Sequence, residues 1–297
     1  MLLPLGRSGL QVSRIAFGCM SLKGNTEDNI ALLQEAFEKG INLFDTADLY
    51  EQGANEELVG KAFREKRGEV VIATKVGNQW RPDGSGWDWN PKKAYILEAA
   101  EASLRRLQTD YIDLYQLHGG TIDDPTDETI EAFELLKQQG KIRAYGISSI
   151  RPNVVRRWVG HVGIDSLMVQ YSLLDRRPEE DILDLAYSGN IGVLVRGALA
   201  QGLLLGKPPK PYLEYGELVV DRAAQEMAAV GTGSRTLTGT ALQFVFKHPA
   251  VTSAVVGIRT PQQLQEALAA LEEPPLDQES YSRLRGVAPG LTYQQHR

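Results

Sequence analysis

Four residues that can together move a proton each follow, or lie close to, the end of a short apolar run. Asp45 ends the run INLFD, Lys75 ends VVIATK and His118 ends IDLYQLH, while Tyr50 comes five residues after Asp45. A phenol has an ordinary pKa of about 10, so near neutral pH it needs a neighbouring cation that stabilises the phenolate. A carboxylate, a phenol, an ammonium and an imidazole are therefore a set from which an acid catalyst can be built around Tyr50.

The apolar runs that precede these residues are predicted to be buried parallel strands. They are short and rich in β-branched residues, as is typical of strands covered on both faces. The eight predicted strands are residues 15–18, 42–45, 70–76, 112–118, 143–148, 167–170, 192–196 and 254–257.

Helical segments alternate with these strands. Thr26 followed by two acidic residues indicates a capped helix start, Pro91 suits a first helical position, and Gly160 is typical of a helix end. The helices predicted between strands are residues 26–39, 55–66, 91–107, 126–139, 152–159, 179–188, 236–247 and 261–271, with additional helices at 217–230 and 278–285.

Strict alternation of strand and helix favours parallel strands joined by right-handed crossovers, and eight such units predict a closed (β/α)8 barrel, the TIM-barrel fold. An open doubly wound sheet would require a G-x-G-x-x-G turn, which the sequence lacks, and the run GLLLGK is one residue short of a phosphate loop. We therefore expect one domain spanning residues 1–297. A hairpin around residues 6–9 should precede the barrel, and the segment 77–90 is predicted to be a long loop with three tryptophans.

Composition excludes several classes of function. The chain has 297 residues, a net charge of −6 and a single cysteine, Cys19, so it can form no internal disulfide. The negative charge and the absence of a basic run argue against nucleic-acid binding, and no apolar stretch is long enough for a transmembrane helix. The four histidines are scattered, so no metal site is expected. The sequence resembles neither a signal peptide nor a membrane protein, and we expect a cytoplasmic location.

A barrel of this kind places the carboxyl ends of all its strands on one face, where catalysis occurs. Alone, Asp45 could cap a helix, Lys75 could be solvated and His118 could be structural. Their occurrence at successive strand ends favours a site. The strand ends read, in order, Gly18 to Met20, Asp45, Lys75, His118, Ser148 and Ser149, Gln170, Arg196, and Gly257.

Several motifs resemble those of the aldo-keto reductase superfamily, in that family's order and over nearly the whole chain. They are NLFDTADLYEQGANEELVGKA (42–62), ATKV (73–76), SLRRLQTDYIDLYQLH (103–118), GKIRAYGISS (140–149), VQY (169–171) and the segment 254–267. The sequence is most similar to the bacterial oxidoreductase branch, which also resembles the β subunits of voltage-gated potassium channels. The N-terminal hairpin, as a plug of the barrel bottom, is also a feature of the family.

This resemblance implies a mechanism. A reduced nicotinamide cofactor would deliver hydride to an aldehyde or ketone carbon, and Tyr50 would donate a proton to the forming alkoxide. Lys75 would lower the pKa of Tyr50 by its charge, Asp45 would hold Lys75 charged, and His118 would orient and polarise the carbonyl oxygen.

The resemblance also implies a cofactor site. Ser148, Ser149 and Gln170 match residues that bind the nicotinamide carboxamide, although the family usually has Asn at the position of Ser149. Arg196 stands where many members place an aromatic ring against the nicotinamide. The full implied set is Gly18, Met20, Asp45, Ser148, Ser149, Gln170, Arg196, Leu199, Ala200, Gly202, Lys207, Gly257, Arg259, Gln263 and Glu266.

Two segments of that set match the family's contacts to the rest of the cofactor. Residues 199–207 match a strap across the pyrophosphate, and residues 257–263 match a grip on the adenosine 2′-phosphate. An Arg at position 259 beside a phosphate dianion favours NADPH over NADH. Glu266 matches an adenine contact, whereas Ala267 replaces an Asn common in the family.

The substrate pocket and the oligomeric state are less closely specified. Met20, Tyr50, Trp80, Trp87 and His118 could line an apolar pocket for small aldehydes or ketones. An alternative is a regulatory barrel that binds NADPH and a protein partner with little turnover. A metal-dependent barrel hydrolase is disfavoured, because His and carboxylate ligands are not clustered. No heptads are present, and we expect a monomer or a weak oligomer.

Overall fold

Parallel strands that are buried on both faces form the centre of the molecule. The structure, a computed structural model, describes residues 2–161, 163–231 and 235–297. Its strands are β1 (Leu2–Pro4), β2 (Gln11–Ser13), β3 (Ile15–Gly18), β4 (Leu43–Asp45), β5 (Val71–Val76), β6 (Asn78–Trp80), β7 (Trp87–Trp89), β8 (Ile112–Leu117), β9 (Ile142–Ser148), β10 (Ser166–Gln170), β11 (Gly192–Arg196) and β12 (Val251–Gly257).

Helices follow the barrel strands and cover their outer surface. They are α1 (Thr26–Glu38), α2 (Ala54–Phe63), α3 (Lys93–Leu107), α4 (Thr126–Gln138), α5 (Pro152–His161), α6 (Ile182–Ser188), α7 (Glu217–Val230), α8 (Leu237–Phe246), α9 (Pro261–Ala269) and α10 (Gln278–Gly286). An extensive apolar core lies between the strands and this helical layer.

The barrel is closed. Its strands pair in the order β3, β4, β5, β8, β9, β10, β11 and β12, and β12 pairs with β3 again, every pair being parallel. The predicted (β/α)8 barrel is therefore confirmed. Parallel closure places all eight carboxyl ends on one face, which is the face where the predicted site residues were expected to meet.

The N-terminal hairpin closes the opposite end of the barrel. β1 and β2 pair in antiparallel register, as predicted. Leu5, Leu10 and Val12 from the hairpin share one buried cluster with inward-facing residues of the barrel strands. A side chain at Gly192 would meet the backbone of Gly6 at 2.8 Å, so the hairpin packs tightly against the start of β11.

Helix boundaries differ from the prediction where local polar contacts decide them. Asn25, and not Thr26, caps α1, because its side chain accepts from the backbone N–H groups of Glu27 and Asp28. The third helix begins at Lys93 and not at Pro91, whose carbonyl oxygen instead accepts from Thr129 Oγ1 at 2.7 Å.

Two further helices differ in length from the prediction. Gly160 lies inside α5 and does not end it. The segment predicted as a helix from residue 179 starts as a 3-10 helix, Arg177–Glu180, and α6 begins only at Ile182.

The predicted long loop at 77–90 contains an antiparallel hairpin. β6 and β7 pair with Asn78 opposite Trp89 and Trp80 opposite Trp87. Gly77 allows the Trp89 ring to pack against the backbone at the start of the hairpin, because a Cβ at position 77 would lie 2.6 Å from that ring. The hairpin follows the carboxyl end of β5, so it lies beside the mouth of the barrel.

No helix within the described part of the chain is long and apolar enough to cross a membrane.

Candidate active site

A buried ion pair between adjacent strands forms the centre of the site. Asp45 ends β4 and Lys75 lies near the end of β5, and these strands are hydrogen-bonded neighbours. Lys75 Nζ lies 2.7 Å from Asp45 Oδ1 and 2.8 Å from Oδ2. The side chains of Lys75 and Asp45 are only 1% and 6% exposed, so the two charges have little contact with solvent.

A second oxygen fixes the position of the Lys75 ammonium group. Nζ donates to the carbonyl oxygen of Thr46 at 2.7 Å. The Thr46 hydroxyl donates to Asn55 Oδ1 at 2.7 Å, and Asn55 Nδ2 donates to the carbonyl oxygen of Cys19 at 3.0 Å. Thr46 and Asn55 thus join the loops after β3 and β4 around Lys75. Neither Thr46 nor Asn55 could be recognised from the sequence, because neither residue type is diagnostic alone.

Tyr50 completes the contact with the ion pair. Its hydroxyl oxygen lies 3.4 Å from Lys75 Nζ, and the ammonium group lies 5.0 Å from the ring centroid. The His118 ring is 5.9 Å from the Tyr50 ring at an interplanar angle of 85°. The structure therefore brings together all four residues that were predicted to be catalytic.

Strained backbone follows Tyr50 directly. Glu51 and Gln52 both have left-handed φ values, 50° and 55°, which are uncommon for residues other than glycine. This turn reverses the chain into α2 and leaves the Tyr50 ring directed at Lys75 and His118. Such strain is found where the surrounding structure holds a residue in place.

Burial and neighbouring charges together set the pKa values of Lys75 and Tyr50. Burial alone would lower the pKa of Lys75, but Asp45 and then Tyr50 raise it above its ordinary value, so the ammonium stays charged. Burial raises the pKa of Tyr50 by more than the Lys75 charge lowers it, and Asp45 adds to the rise. The Lys75 charge thus lowers the pKa of Tyr50, as expected, but burial outweighs it, so the pKa of Tyr50 lies above its ordinary value.

His118 is neutral over the physiological range. Burial, followed by the charges of Lys75 and Arg196, lowers its pKa to about 3. Its Nδ1 atom is buried and has no hydrogen-bond partner among the described residues. A neutral imidazole offers one N–H donor and one acceptor, so His118 can donate a hydrogen bond without adding charge.

A second buried carboxyl group lies close to the ion pair. Asp48 is buried, its backbone N–H donates to the carbonyl oxygen of Lys75, and its Oδ1 has no partner in the described structure. Glu56 is fully buried and is paired with Arg106 at 2.6 Å. Burial, followed by the Glu56 charge, raises the pKa of Asp48 to about 8, so this carboxyl is protonated near neutral pH.

The predicted nicotinamide-side residues form a hydrogen-bonded series across β10 and β11. Arg196 Nη1 donates to Gln170 Oε1 at 2.7 Å. Gln170 Nε2 donates to Asp175 Oδ2 at 2.9 Å and to the Tyr212 hydroxyl at 3.2 Å. Because both amide protons of Gln170 are used within the protein, Gln170 can only accept from a further ligand. Arg177 donates to both oxygens of Asp175 at 2.8 Å.

Ser148 and Ser149, at the end of β9, are buried at the same face. Ser149 Oγ accepts from the backbone N–H of Arg151 at 3.2 Å, so its own hydroxyl proton remains available for donation. The shorter residue at position 149 thus keeps hydrogen-bonding capacity where the family usually has Asn.

The segment after β11 is a tight loop that carries an exposed cation. Ala200, Gln201 and Gly202 have successive positive φ values of 45°, 59° and 88°. Lys207 Nζ donates to the carbonyl oxygen of Gln201 at 2.8 Å and has no acidic partner in the described structure. Leu199 is half-buried and Ala200 is fully buried, so these two residues pack the loop onto the protein.

The segment after β12 carries a second exposed cation at the start of α9. Arg259 is exposed, its backbone N–H donates to Gln263 Oε1, and its guanidinium forms no ion pair with the described residues. The first turn of α9 contains no acidic residue. Gln262 contacts the exposed Glu266 carboxylate.

The remaining predicted residues lie at the strand ends beside this segment. Gly18, Gly257 and Asp45 share neighbouring register positions on β3, β12 and β4. A Cβ at Gly18 would lie 3.2 Å from Val255 and Val256, so a larger residue would crowd the barrel mouth. Met20 is 61% exposed.

The tryptophans of the β6–β7 hairpin differ in environment. Trp89 Nε1 donates to Asp124 at 2.9 Å, whereas Trp87 is 48% exposed. Trp80 Nε1 is buried without a partner among the described residues. Trp89 therefore packs on the barrel rim, and Trp80 and Trp87 remain candidates for the substrate pocket.

The unpaired cations and the unused polar atoms near the barrel mouth fit a nicotinamide dinucleotide. β11 and β12 are adjacent, so the loops that carry Lys207 and Arg259 are neighbours. Two cations without acidic partners suit an elongated anion, and the buried Nδ1 of His118 and Nε1 of Trp80 leave polar capacity unused near the barrel mouth. The described residues contain no group of three or more His, Cys, Asp or Glu that could hold a metal ion.

Comparisons with known proteins agree with this geometry. A sequence model described as the aldo/keto reductase family matches residues 14–289. The uncharacterized oxidoreductase YqkF of Bacillus subtilis is 47% identical over 99% of this chain and 98% of its own length. The NADH-specific methylglyoxal reductase of Escherichia coli is 31% identical over 91% and 93% of the two chains.

A solved structure is similar over the full length. The holo form of the aldo-keto reductase AKR11C1 from Bacillus halodurans has a TM-score of 0.94 at 47% identity, covering 100% of this chain and 99% of that one. The apo form of the same protein has a TM-score of 0.86 at 45% identity, with the same coverage. The barrel and its arrangement of loops are thus shared with a known reductase.

The buried carboxyl of Asp48 generates a prediction about stability. The folded state keeps its proton up to about pH 8, whereas the unfolded chain ionises near 3.8, so between these values native stability falls as pH rises. Asp48→Asn removes this loss. We expect its stability relative to the native protein to be roughly 3 kcal/mol greater at about pH 7.5 than at about pH 5. Urea unfolding at both pH values measures this difference.

The matched control is Asp110→Asn, which changes an exposed aspartate. It should give a pH-independent difference from the native protein. Equal effects of Asp48→Asn at both pH values would show that Asp48 is ionised in the folded state.

Proposed function

This chain belongs to the aldo/keto reductase family and is an oxidoreductase, and from that premise we propose that it reduces small aldehydes or ketones to alcohols with NADPH. The observation that carries this proposal is the contact of Lys75 Nζ with Asp45 on one side and with the Tyr50 hydroxyl, at 3.4 Å, on the other. Because a neutral proton donor, a buried cation and a neutral imidazole face the same space, the arrangement suits protonation of an oxygen that gains negative charge.

Tyr50 is the proposed proton donor. Its raised pKa keeps the phenol protonated until a stronger base is present. The oxygen of a carbonyl group that accepts hydride becomes an alkoxide, which is a much stronger base than a phenolate, so proton transfer from Tyr50 is downhill. Assistance by a positioned acid of this kind typically contributes about 10²–10⁴ in rate.

Lys75 stabilises the phenolate that remains after this transfer. Its charge is fixed by Asp45 and by the Thr46 carbonyl oxygen, so the ammonium does not have to reorganise during the reaction. His118 is neutral, and donation from its imidazole N–H would orient the carbonyl oxygen toward Tyr50 without competing for the proton. The bound dihydronicotinamide would supply the hydride.

NADPH is favoured over NADH by the surroundings of Arg259. The guanidinium is exposed and unpaired within the described structure, and it stands just before α9, whose first turn holds no acidic residue. The amino end of a helix and a free guanidinium both attract a phosphate dianion. A preference for NADH would be expected to place a carboxylate there for the ribose hydroxyls. One similar protein, from Escherichia coli, is named as an NADH-specific methylglyoxal reductase, so cofactor preference varies among relatives of this chain.

Ser148, Ser149, Gln170 and Arg196 are proposed to hold the nicotinamide end of the cofactor. The strap 199–207, with Lys207, is proposed to hold the pyrophosphate. The remaining proposed contacts are Gly18, Met20, Asp45, Gly257, Gln263 and Glu266.

The proposed substrates are small aldehydes or ketones. The side chains around the barrel mouth include Met20, Trp80 and Trp87, which offer apolar surface. Their exposure leaves the mouth open to substrates of different shape.

Removal of the phenol tests the proton donor. Tyr50→Phe should fold normally and bind NADPH with unchanged affinity, because the ring and its packing remain, while turnover of a small aldehyde should fall at least about a hundredfold. Turnover is measured by the loss of NADPH absorbance, and binding by titration of protein fluorescence.

Tyr187→Phe is the matched control, since Tyr187 is 59% exposed on the outer face, and it should retain native turnover. Near-native turnover of Tyr50→Phe would refute the assigned role. Tight NADPH binding by the native protein, with no turnover of any aldehyde tested, would instead favour a regulatory barrel.

Loss of the guanidinium tests cofactor preference. Arg259→Ala should weaken NADPH binding at least about tenfold and NADH binding less than about twofold, because only NADPH carries the 2′-phosphate. Dissociation constants for both nucleotides measure the difference, with Arg222→Ala on the exposed face of α7 as the control. Equal losses for NADPH and NADH would contradict the assignment.

A further inference from the structure

Arg196 brings a second cation to the mouth of the barrel. It is the last residue of β11 and is half-buried, and it is paired in register with Gln170 at the end of β10. Its Nη1 donates to Gln170 Oε1 at 2.7 Å. The guanidinium is therefore held by a neutral amide that fixes its position.

No carboxylate in the described structure neutralises Arg196. The nearest acidic group in its hydrogen-bonded series is Asp175, which lies beyond Gln170. Both Asp175 oxygens accept from Arg177 at 2.8 Å, so the charge of Asp175 is matched by that guanidinium. The positive charge of Arg196 is consequently uncompensated.

The field of Arg196 extends over the proposed reaction space. Burial raises the pKa values of Asp45 and Tyr50, and the Arg196 charge opposes that rise. The same charge adds to burial and Lys75 in lowering the pKa of His118. A hydride donor that serves a carbonyl group held between Tyr50 and His118 must occupy the same space. Two charges a few ångströms apart in a partly buried site interact far more strongly than in water.

We propose that Arg196 makes the site discriminate between the two oxidation states of the cofactor, binding the neutral dihydronicotinamide more tightly than the cationic nicotinamide. This inference rests on the proposed function, since it requires a nicotinamide cofactor at the barrel mouth. It goes further because it assigns to Arg196 the ratio between the affinities for the reduced and the oxidised cofactor.

The charge balance of the reaction explains the effect. One hydride passes to the carbonyl carbon and one proton passes from Tyr50 to the carbonyl oxygen, so the carbonyl compound is reduced to an alcohol and the cofactor is oxidised. The nicotinamide ring gains one positive charge in this step. The fixed charge of Arg196 repels the oxidised ring and leaves the reduced ring unaffected.

Two consequences follow for turnover in the reductive direction. The oxidised cofactor dissociates more readily, so it inhibits weakly and release of product is accelerated. The bound cofactor is also a weaker hydride donor than it would be beside a neutral residue. A neutral aromatic side chain at position 196 would pack against either ring without this electrostatic preference.

The experiment compares dissociation constants of NADPH and NADP+ for the full-length protein by isothermal titration calorimetry. The variants are Arg196→Gln, which removes the charge, and Arg196→Lys, which keeps it. We expect native protein to bind NADPH at least about tenfold more tightly than NADP+, and Arg196→Gln to reduce that ratio at least about tenfold. Arg196→Lys should retain most of the ratio. Arg285→Gln, which removes a guanidinium paired with Glu179, should leave the native ratio unchanged.

The outcomes separate this inference from the function on which it rests. An unchanged ratio in Arg196→Gln, with both affinities reduced equally, would overturn the inference and leave the reductase intact. A native protein that binds NADP+ as tightly as NADPH would overturn it without any variant, so misfolding of Arg196→Gln cannot protect it. Failure of the native protein to bind either nucleotide would overturn both the inference and the proposed function.

Discussion

The structure depends on a lysine and an aspartate whose charges are withdrawn from water at the mouth of a closed barrel. Burying Lys75 would by itself favour its neutral form, and only Asp45, Thr46 and Tyr50 make the charged form stable. Removing one member of such a pair leaves an uncompensated buried charge, which typically costs about 3–5 kcal/mol. Barrel closure supplies the geometry, because β4 and β5 must be neighbours for the two side chains to meet.

The charges around this pair are arranged asymmetrically. His118 stays neutral because burial and two nearby cations oppose its protonation, so it can act as a hydrogen-bond donor without adding to the positive charge. Lys75 is compensated by Asp45, whereas Arg196 is held by an amide and remains uncompensated. The Lys75 charge is thus held beside the Tyr50 phenol. The Arg196 charge is not cancelled, so it can act on the positive charge of a bound oxidised nicotinamide.

Much of the fold and of the candidate site could be predicted from the sequence, and there are physical reasons why the rest could not. The eight strands and their order followed from apolar runs punctuated by Gly and Pro, and the grouping of Asp45, Tyr50, Lys75 and His118 followed from their places at strand ends. The net rise in the pKa of Tyr50 could not be predicted, because it depends on burial that only the folded barrel creates. The hairpin at 77–90 was missed because its two strands are only three residues long and flank a run rich in Gly and Pro. The supporting contacts of Thr46 and Asn55 were missed because neither residue type is diagnostic alone.

The proposed chemistry requires Lys75 to be charged although only 1% of its side chain is exposed. The most direct test is an NMR titration of the Lys75 side chain with nitrogen-15-labelled protein, with Lys75→Met used to assign the signal. We expect Lys75 to remain protonated through neutral pH and to titrate above the ordinary lysine value of 10.5. Deprotonation of Lys75 below that value would show that burial outweighs Asp45, and the proposed role of Lys75 would be wrong.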